Sequence, residues 1–156
     1  MAIRRAEASD IPRVDELLFQ VQKIHAEGRN DIFKLGTKKY SSDELKEIFA
    51  CVNTPVFVYE DENGVQGYAF CILQDTPEDA RLYARRSLYI DDLCVDADMR
   101  GKGIGRKLYE HVTEFARQMN CDSITLNVWA LNESAYSFYR KLGLSPLKTV
   151  MEQKLK

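Results

Sequence analysis

Hydrophobic positions along the chain follow two periods, one suited to strands and one to helices. Ile3 to Arg5 opens as a short strand. Ser9 or Asp10 then caps a helix, with Pro12 in a first turn where a missing N–H costs little. Val14, Leu17, Leu18, Val21 and Ile24 fall on one face of it. From His25 to Lys39 the period is lost, and Gly28, Asn30 and Gly36 punctuate a long loop of the kind that carries function. Ser41-Ser42-Asp43-Glu44 is a capping box, and Leu45, Ile48 and Phe49 continue it as a second helix. Val56–Tyr59 and Val65–Leu73 read as strands joined through Asn63-Gly64, a hairpin pair. A polar stretch, Gln74 to Arg86, precedes a further strand from Leu88 to Val95. Connections this tight make that part of the sheet antiparallel. Ile104, Leu108, Val112, Phe115, Ala116 and Met119 then form one helical stripe. A helix crossover makes the next strand, Ile124–Trp129, parallel to its predecessor. Asn132 caps a shorter helix with Ala135, Phe138, Tyr139 and Leu142 inside, and Gly143 ends it. Val150–Leu155 supplies a last strand. The order βααβββαβαβ predicts one α/β domain over 1–156, with a mixed, mainly antiparallel sheet and flanking helices.

Composition narrows the function classes. A chain of 156 residues, 45% apolar and 29% charged, has the balance of one folded core. Lys and Arg number 22 against 24 Asp and Glu, a formal charge of −2, which disfavours nucleic acid as a partner. The longest apolar run, Tyr68–Leu73, is far short of a membrane span, and residues 1–7 lack the apolar centre of a secretory signal. The expectation is a cytoplasmic protein with no membrane partner. Cys51, Cys71, Cys94 and Cys121 lie far apart, and His25 and His111 complete no zinc spacing, so no metal is expected. Buried reduced thiols are the expected state of the cysteines, with disulfides or a redox site as the other readings.

The candidate chemistry lies in Val95-Asp96-Ala97-Asp98-Met99-Arg100-Gly101-Lys102-Gly103-Ile104-Gly105-Arg106. A strand ends there and alternate glycines lead straight into an amphipathic helix. Glycine permits unusual backbone angles and close approach of a ligand, and the first N–H groups of a helix are unsatisfied, so the turn suits phosphate. Arg100, Lys102 and Arg106 add local cations. A Walker A loop requires Ser or Thr after the lysine, whereas Gly103 follows Lys102. A dinucleotide fingerprint requires GxGxxG with an acid ending the next strand, whereas the spacing is GxGxG and Val128-Trp129 end that strand.

These residues resemble the GNAT superfamily of acetyl-CoA-dependent N-acyltransferases. Its signature, Arg/Gln-x-x-Gly-x-Gly/Ala, is matched by Arg100, Gly103 and Gly105, and its Asn-x-x-Ala-x-x-x-Tyr pattern by Asn132, Ala135 and Tyr139. The likeness spans Leu93 to Gly143 in the family's order and spacing. It implies a GNAT-like fold whose parallel central strands, Leu88–Val95 and Ile124–Trp129, splay apart to admit acetyl-CoA. It implies a pyrophosphate cradle from the backbone of Arg100, Gly101, Lys102, Gly103, Ile104, Gly105 and Arg106. It further implies pantetheine contacts along Leu93, Cys94 and Val95, and a cofactor contact at Asn132, which is equally a plain helix cap. Tyr139 matches the family's usual general acid. One of Asp91 and Asp92, polar in an otherwise apolar strand, is the candidate base or amine-orienting residue. Strand alternation sends the two carboxylates to opposite faces unless a bulge intervenes.

The expected acceptor is a primary amine, with a small or polyamine-like compound preferred. That preference follows from the short chain and from His25, Glu27, Arg29 and Asp31, whose acids would attract a cationic amine. Tyr83, Tyr89 and Trp129 are candidate pocket residues, and His111 reads as a surface side chain. The alternatives are acetylation of a protein N-terminus or lysine, a non-catalytic acyl-CoA-binding regulatory module, and, last, nucleic-acid binding. A homodimer is common in the family, although no residue here specifies an interface.

Overall fold

In the computed structural model, which describes residues 2–156, the two periods resolve into a five-stranded sheet carrying helices on both faces. The strands β1 (Ala2–Arg5), β2 (Val56–Asp61), β3 (Gly64–Thr76), β4 (Arg85–Val95) and β5 (Ser123–Leu126) lie side by side in chain order. The first four run antiparallel, and β5 is parallel to β4, as the helix between them requires. The helices are α1 (Ile11–Gly28), α2 (Ser42–Ala50), α3 (Ile104–Gln118) and α4 (Glu133–Lys141).

Alternation along β2 and β3 divides the core in two. Val56, Val58, Tyr68 and Phe70 face one way and pack with Val14, Leu17 and Leu18 of α1 and Leu45 of α2. Phe57, Tyr59, Ala69 and Cys71 face the other way, against Leu108 and Val112 of α3. Gly67 is required where α3 crosses: a Cβ there would lie 2.8 Å from the Cys94 carbonyl oxygen and 3.1 Å from Leu108 Cδ1.

Several boundaries differ from the sequence expectation. α1 continues through His25 to Gly28, so the long loop begins at Arg29. β3 and β4 run to Thr76 and from Arg85, because backbone pairing extends a hairpin past its apolar residues. The β2–β3 turn is made by Glu62 and Asn63, and Gly64, at φ +100°, already pairs with Asp61. Val150–Leu155 forms no strand: residues 145–156 are all exposed and make no backbone–backbone hydrogen bond among the described residues. Ion pairs from Glu152 to Arg29 (3.0 Å) and from Lys154 to Asp31 (3.7 Å) tie that segment beside the sheet rather than on its edge. The cysteines are free, with Cys71 and Cys94 buried as expected but Cys51 exposed, since it closes α2 at the surface. His111 is half-buried, its ring edge-on to Phe57 at 4.7 Å, rather than a surface residue. No helix among the described residues is long and apolar enough to cross a membrane.

Candidate active site

One extra residue in β4 organises the site. Cys71 pairs with Ile90 and Phe70 with Asp92, so Asp91 is bulged out of register. The bulge inverts the alternation: Leu88 and Ile90 belong to the α3 side of the core, whereas Cys94 belongs to the α1 side. Both carboxylates therefore turn to the α1 and α2 side, and the expected placement on opposite faces is not what the strand adopts. Asp91 accepts a hydrogen bond from the Tyr40 hydroxyl and pairs with Lys39 Nζ at 2.8 Å. Asp92 accepts from the Tyr68 hydroxyl at 2.7 Å. Burial raises the Asp92 pKa to about 6, with the neighbouring Asp91 charge adding to the rise and Tyr68 opposing it.

The same bulge ends the parallel pairing. β4 and β5 are in register from Ser87↔Ser123 to Ile90↔Leu126 and no further. Beyond that point Asn127–Trp129 leaves the sheet, so β5 is shorter than its apolar run suggests, and Asp91–Val95 presents an unpartnered edge. A cleft of about 940 Å³ opens along this edge. Its floor includes Asp91, Asp92, Leu93 and Val95, with Tyr139 of α4 opposite. Burial, then the Asp92 charge, pushes the Tyr139 pKa upward, so its phenol stays protonated.

At one end of the cleft the backbone turns into α3. Gly101 and Gly103 take φ of +79° and +80°, angles that disfavour any side chain, and a Cβ on either would meet nothing within 4 Å. Gly103 is the N-cap of α3 and no side chain caps the helix, which leaves its first N–H groups open to a ligand. Arg100 and Arg106 stand at the same mouth. Open space, uncapped donors and cations together fit a pyrophosphate. The turn leading to them is anchored by Asp96, which accepts from Arg13 Nη2 at 2.7 Å, Gln20 Nε2 at 3.1 Å and the Asp98 N–H at 2.9 Å. At the far end, Phe33 lies 4.8 Å from the His25 ring and 4.9 Å from Trp129, forming an aromatic wall next to Lys39. Burial, then Lys39, lowers the His25 pKa, so its imidazole is neutral near pH 7.

A family model described as the acetyltransferase (GNAT) family matches residues 24–144, which include the bulge, the glycine turn and α4. The chain belongs to the GNAT acetyltransferase family. It is 36% identical over 62 residues to the thialysine N-epsilon-acetyltransferase of Bos taurus, covering 40% of this chain and 36% of that protein. It is 42% identical over 55 residues to a peptidyl-lysine N-acetyltransferase of Escherichia coli K12, covering 35% of this chain and 34% of that protein. The match thus spans about a third of the length of these curated relatives. A crystal structure of a mutant BH1408 protein from Bacillus halodurans superposes with a TM-score of 0.97 at 32% identity, covering 100% of both chains.

This GNAT chain brings most of the sequence-predicted residues to one cleft: Asp91, Asp92, Leu93, Cys94, Val95, Arg100, Gly101, Gly103, Ile104, Gly105, Arg106, Asn132 and Tyr139 all line it. Lys102 does not, and its ammonium lies 3.5 Å from Met99 Sδ. The Cys94 thiol points into the α1 core, where burial raises its pKa to about 12, so only its backbone is available to a ligand. Asn132 caps α4, its Oδ1 accepting from the Ala135 N–H at 3.0 Å. Tyr89 and Trp129 line the cleft, whereas Tyr83 is 87% exposed outside it. Glu27 and Asp31 also lie outside, paired with Lys23 and with Arg29 and Lys154, so the acidic loop does not face an acceptor. Lys39, Tyr40, Tyr68 and Phe33 escaped the sequence reading. Only Tyr40 carried a local signal, preceding the capping box where a hydrophobic staple sits.

Proposed function

We propose that this GNAT protein is an N-acetyltransferase that moves the acetyl group of acetyl-CoA to a primary alkylamine by direct attack in a ternary complex. The observation that carries the reading is the pairing of Asp92, with its pKa near 6, and the protonated Tyr139 in one cleft that continues into the glycine turn. When bound, acetyl-CoA supplies an acetyl thioester. The open N–H groups at the start of α3, with Arg100 and Arg106, hold its pyrophosphate. The free β4 edge at Leu93 and Val95 pairs with the pantetheine amides as an added strand would.

A protonated amine has no lone pair, so the acceptor must first lose a proton. Asp91 orients the incoming ammonium and Asp92 takes the proton, directly or through one water. The C–N bond then forms and the C–S bond breaks. Tyr139 donates its proton to the departing sulfur and recovers one as the amide nitrogen sheds its own. Asp91 already holds an alkylammonium, that of Lys39, at 2.8 Å, which supports a flexible primary amine as the acceptor. Relatives named for thialysine and peptidyl-lysine acetylation point the same way. The aromatic wall of His25, Phe33 and Trp129 would cover the acceptor's methylene stem.

Thiol release from acetyl-CoA, measured across polyamines, lysine analogues, lysine peptides and peptides with free N-termini, tests the reading. Turnover with alkylamines is expected. Acetyl-CoA that raises the unfolding temperature with no thiol released for any amine would overturn it in favour of a binding module.

A further inference from the structure

We propose that Lys39 is itself an acceptor: when no free amine occupies the cleft, the chain acetylates the Nζ of its own Lys39. The inference rests on the acetyltransferase reading above and adds to it a modification site within the chain. Of the described residues that line the cleft, Lys39 alone carries a primary amine. Its Nζ donates to Asp91 Oδ1 at 2.8 Å and to the Asp91 carbonyl oxygen at 3.5 Å. On that reading Asp91 orients the incoming ammonium, so Lys39 already holds the acceptor's seat.

The residues on either side aim Lys39 into the cleft. Lys38 Nζ pairs with Asp15 Oδ1 of α1 at 2.6 Å and lies 5.9 Å from the centre of the Phe19 ring, facing away from the site. The Tyr40 ring stacks on Phe70 of β3 at 5.6 Å, and its hydroxyl donates to Asp91. The root of Lys39 is therefore fixed, while its side chain is 44% exposed and sits on a flexible four-carbon stem. An ion pair this open to solvent is weak, so the ammonium is free to leave Asp91. The Lys39 charge also lowers the proton affinity of Asp92 and of His25, which puts it within electrostatic reach of the proposed base and of the aromatic wall.

The step balances as an acyl transfer. Asp92 takes one proton from the Lys39 ammonium, directly or through one water. The freed nitrogen attacks the carbonyl carbon of the acetyl thioester, and a C–N bond forms as the C–S bond breaks. Tyr139 donates its proton to the departing sulfur and recovers one from the new amide nitrogen. The products are Nε-acetyl-Lys39 and the free thiol of CoA. A tethered amine is present at an effective concentration of about millimolar or more. Self-acetylation therefore runs when free amine is scarce and stops when an amine takes its place on Asp91.

The test incubates the intact chain with acetyl-CoA and no amine, then maps acetyl groups by proteolysis and mass spectrometry. One acetyl group should appear on Lys39 about 10²-fold faster than on Lys34, Lys38 or Lys102, the scale of one positioned acid or base. The rate per chain should be independent of protein concentration. A saturating alkylamine substrate should protect Lys39, and Tyr139→Phe should slow the modification about 10²-fold. Lys39→Arg keeps the cation and offers no primary amine, so that acetyl group should vanish while circular dichroism stays unchanged. Acetylation of Lys39 no faster than of the other lysines, a rate untouched by Tyr139→Phe, or a rate that rises in proportion to protein concentration would each overturn the proposal. In those cases thiol release with alkylamines would leave the acetyltransferase reading standing. Absence of both thiol release for any amine and acetyl on Lys39 would instead overturn the reading and this proposal together.

Discussion

Asp91 and Asp92 differ in chemistry because the β4 bulge gives them different neighbours. Asp91 pairs with Lys39 Nζ at 2.8 Å and accepts from the Tyr40 hydroxyl. Asp92 accepts from Tyr68 and is deeply desolvated, and that burial raises its proton affinity even though Tyr68 and Lys39 oppose the rise. A base must be deprotonated to act, so kcat/KM should rise with pH through about 6 and then level. Asp92→Asn should remove that limb and lower kcat/KM by about 10²–10⁴, read from pH–rate profiles of both proteins. Tyr40→Phe should act differently. It removes a donor to Asp91 without touching Asp92, the proposed base, so the amine KM should rise several-fold while kcat changes little. Tyr139→Phe provides the contrast, with kcat falling by about 10²-fold or more while calorimetry finds acetyl-CoA affinity unchanged.

At the scale of elements, the cradle depends on backbone angles rather than side chains. Gly103→Ala would force a Cβ into a left-handed position, at a cost of about 1–2 kcal/mol, although no neighbour lies within 4 Å to clash with it. On the proposed reading, the same methyl would stand in the space that phosphate takes. Acetyl-CoA affinity measured by calorimetry should therefore fall about tenfold or more. This element was legible in the sequence because glycines before an amphipathic helix are local information, as are the capping box and the hairpin glycine. The acceptor end was not legible. Phe33 and Lys39 reach the site from the loop between α1 and α2 and Tyr68 from β3, and no spacing along the chain reports that Lys39 meets a residue 52 positions away. The bulge was equally hidden, since its cause is pairing between β3 and β4 and the doublet of acids fits either register. The Val150–Leu155 strand pattern is present in the residues, but Glu152 and Lys154 pair with Arg29 and Asp31 and the segment joins no strand edge among the described residues.

At the scale of the whole molecule, the site sets stability against activity. Asp10 and Asp96 sit beside Arg4 and Arg13, and their pKa values are lowered, the ordinary way carboxylates support a fold at neutral pH. Asp92 works in the opposite sense. Its folded pKa of about 6 lies above the value of about 3.9 for an unfolded aspartate. Below the lower value both states hold the proton and the group is neutral to stability. Between the two, folding must take up a proton that the unfolded chain has already lost, and stability falls as pH rises. Above about 6 the full penalty of an ionised, desolvated carboxylate remains. Asp92→Asn keeps the shape and abolishes the charge, so it should stabilise the protein by about 1–2 kcal/mol at pH 7.5, allowing for solvent in the cleft. Asp10 and Asp96 are common to both proteins and cancel in the difference. Urea unfolding of the two proteins at pH 7.5 and pH 4 should therefore give curves that separate at the higher pH and converge at the lower. An equal gap at both values would mean that Asp92 is held by packing and not by its charge, and would remove the physical basis for its action as the base.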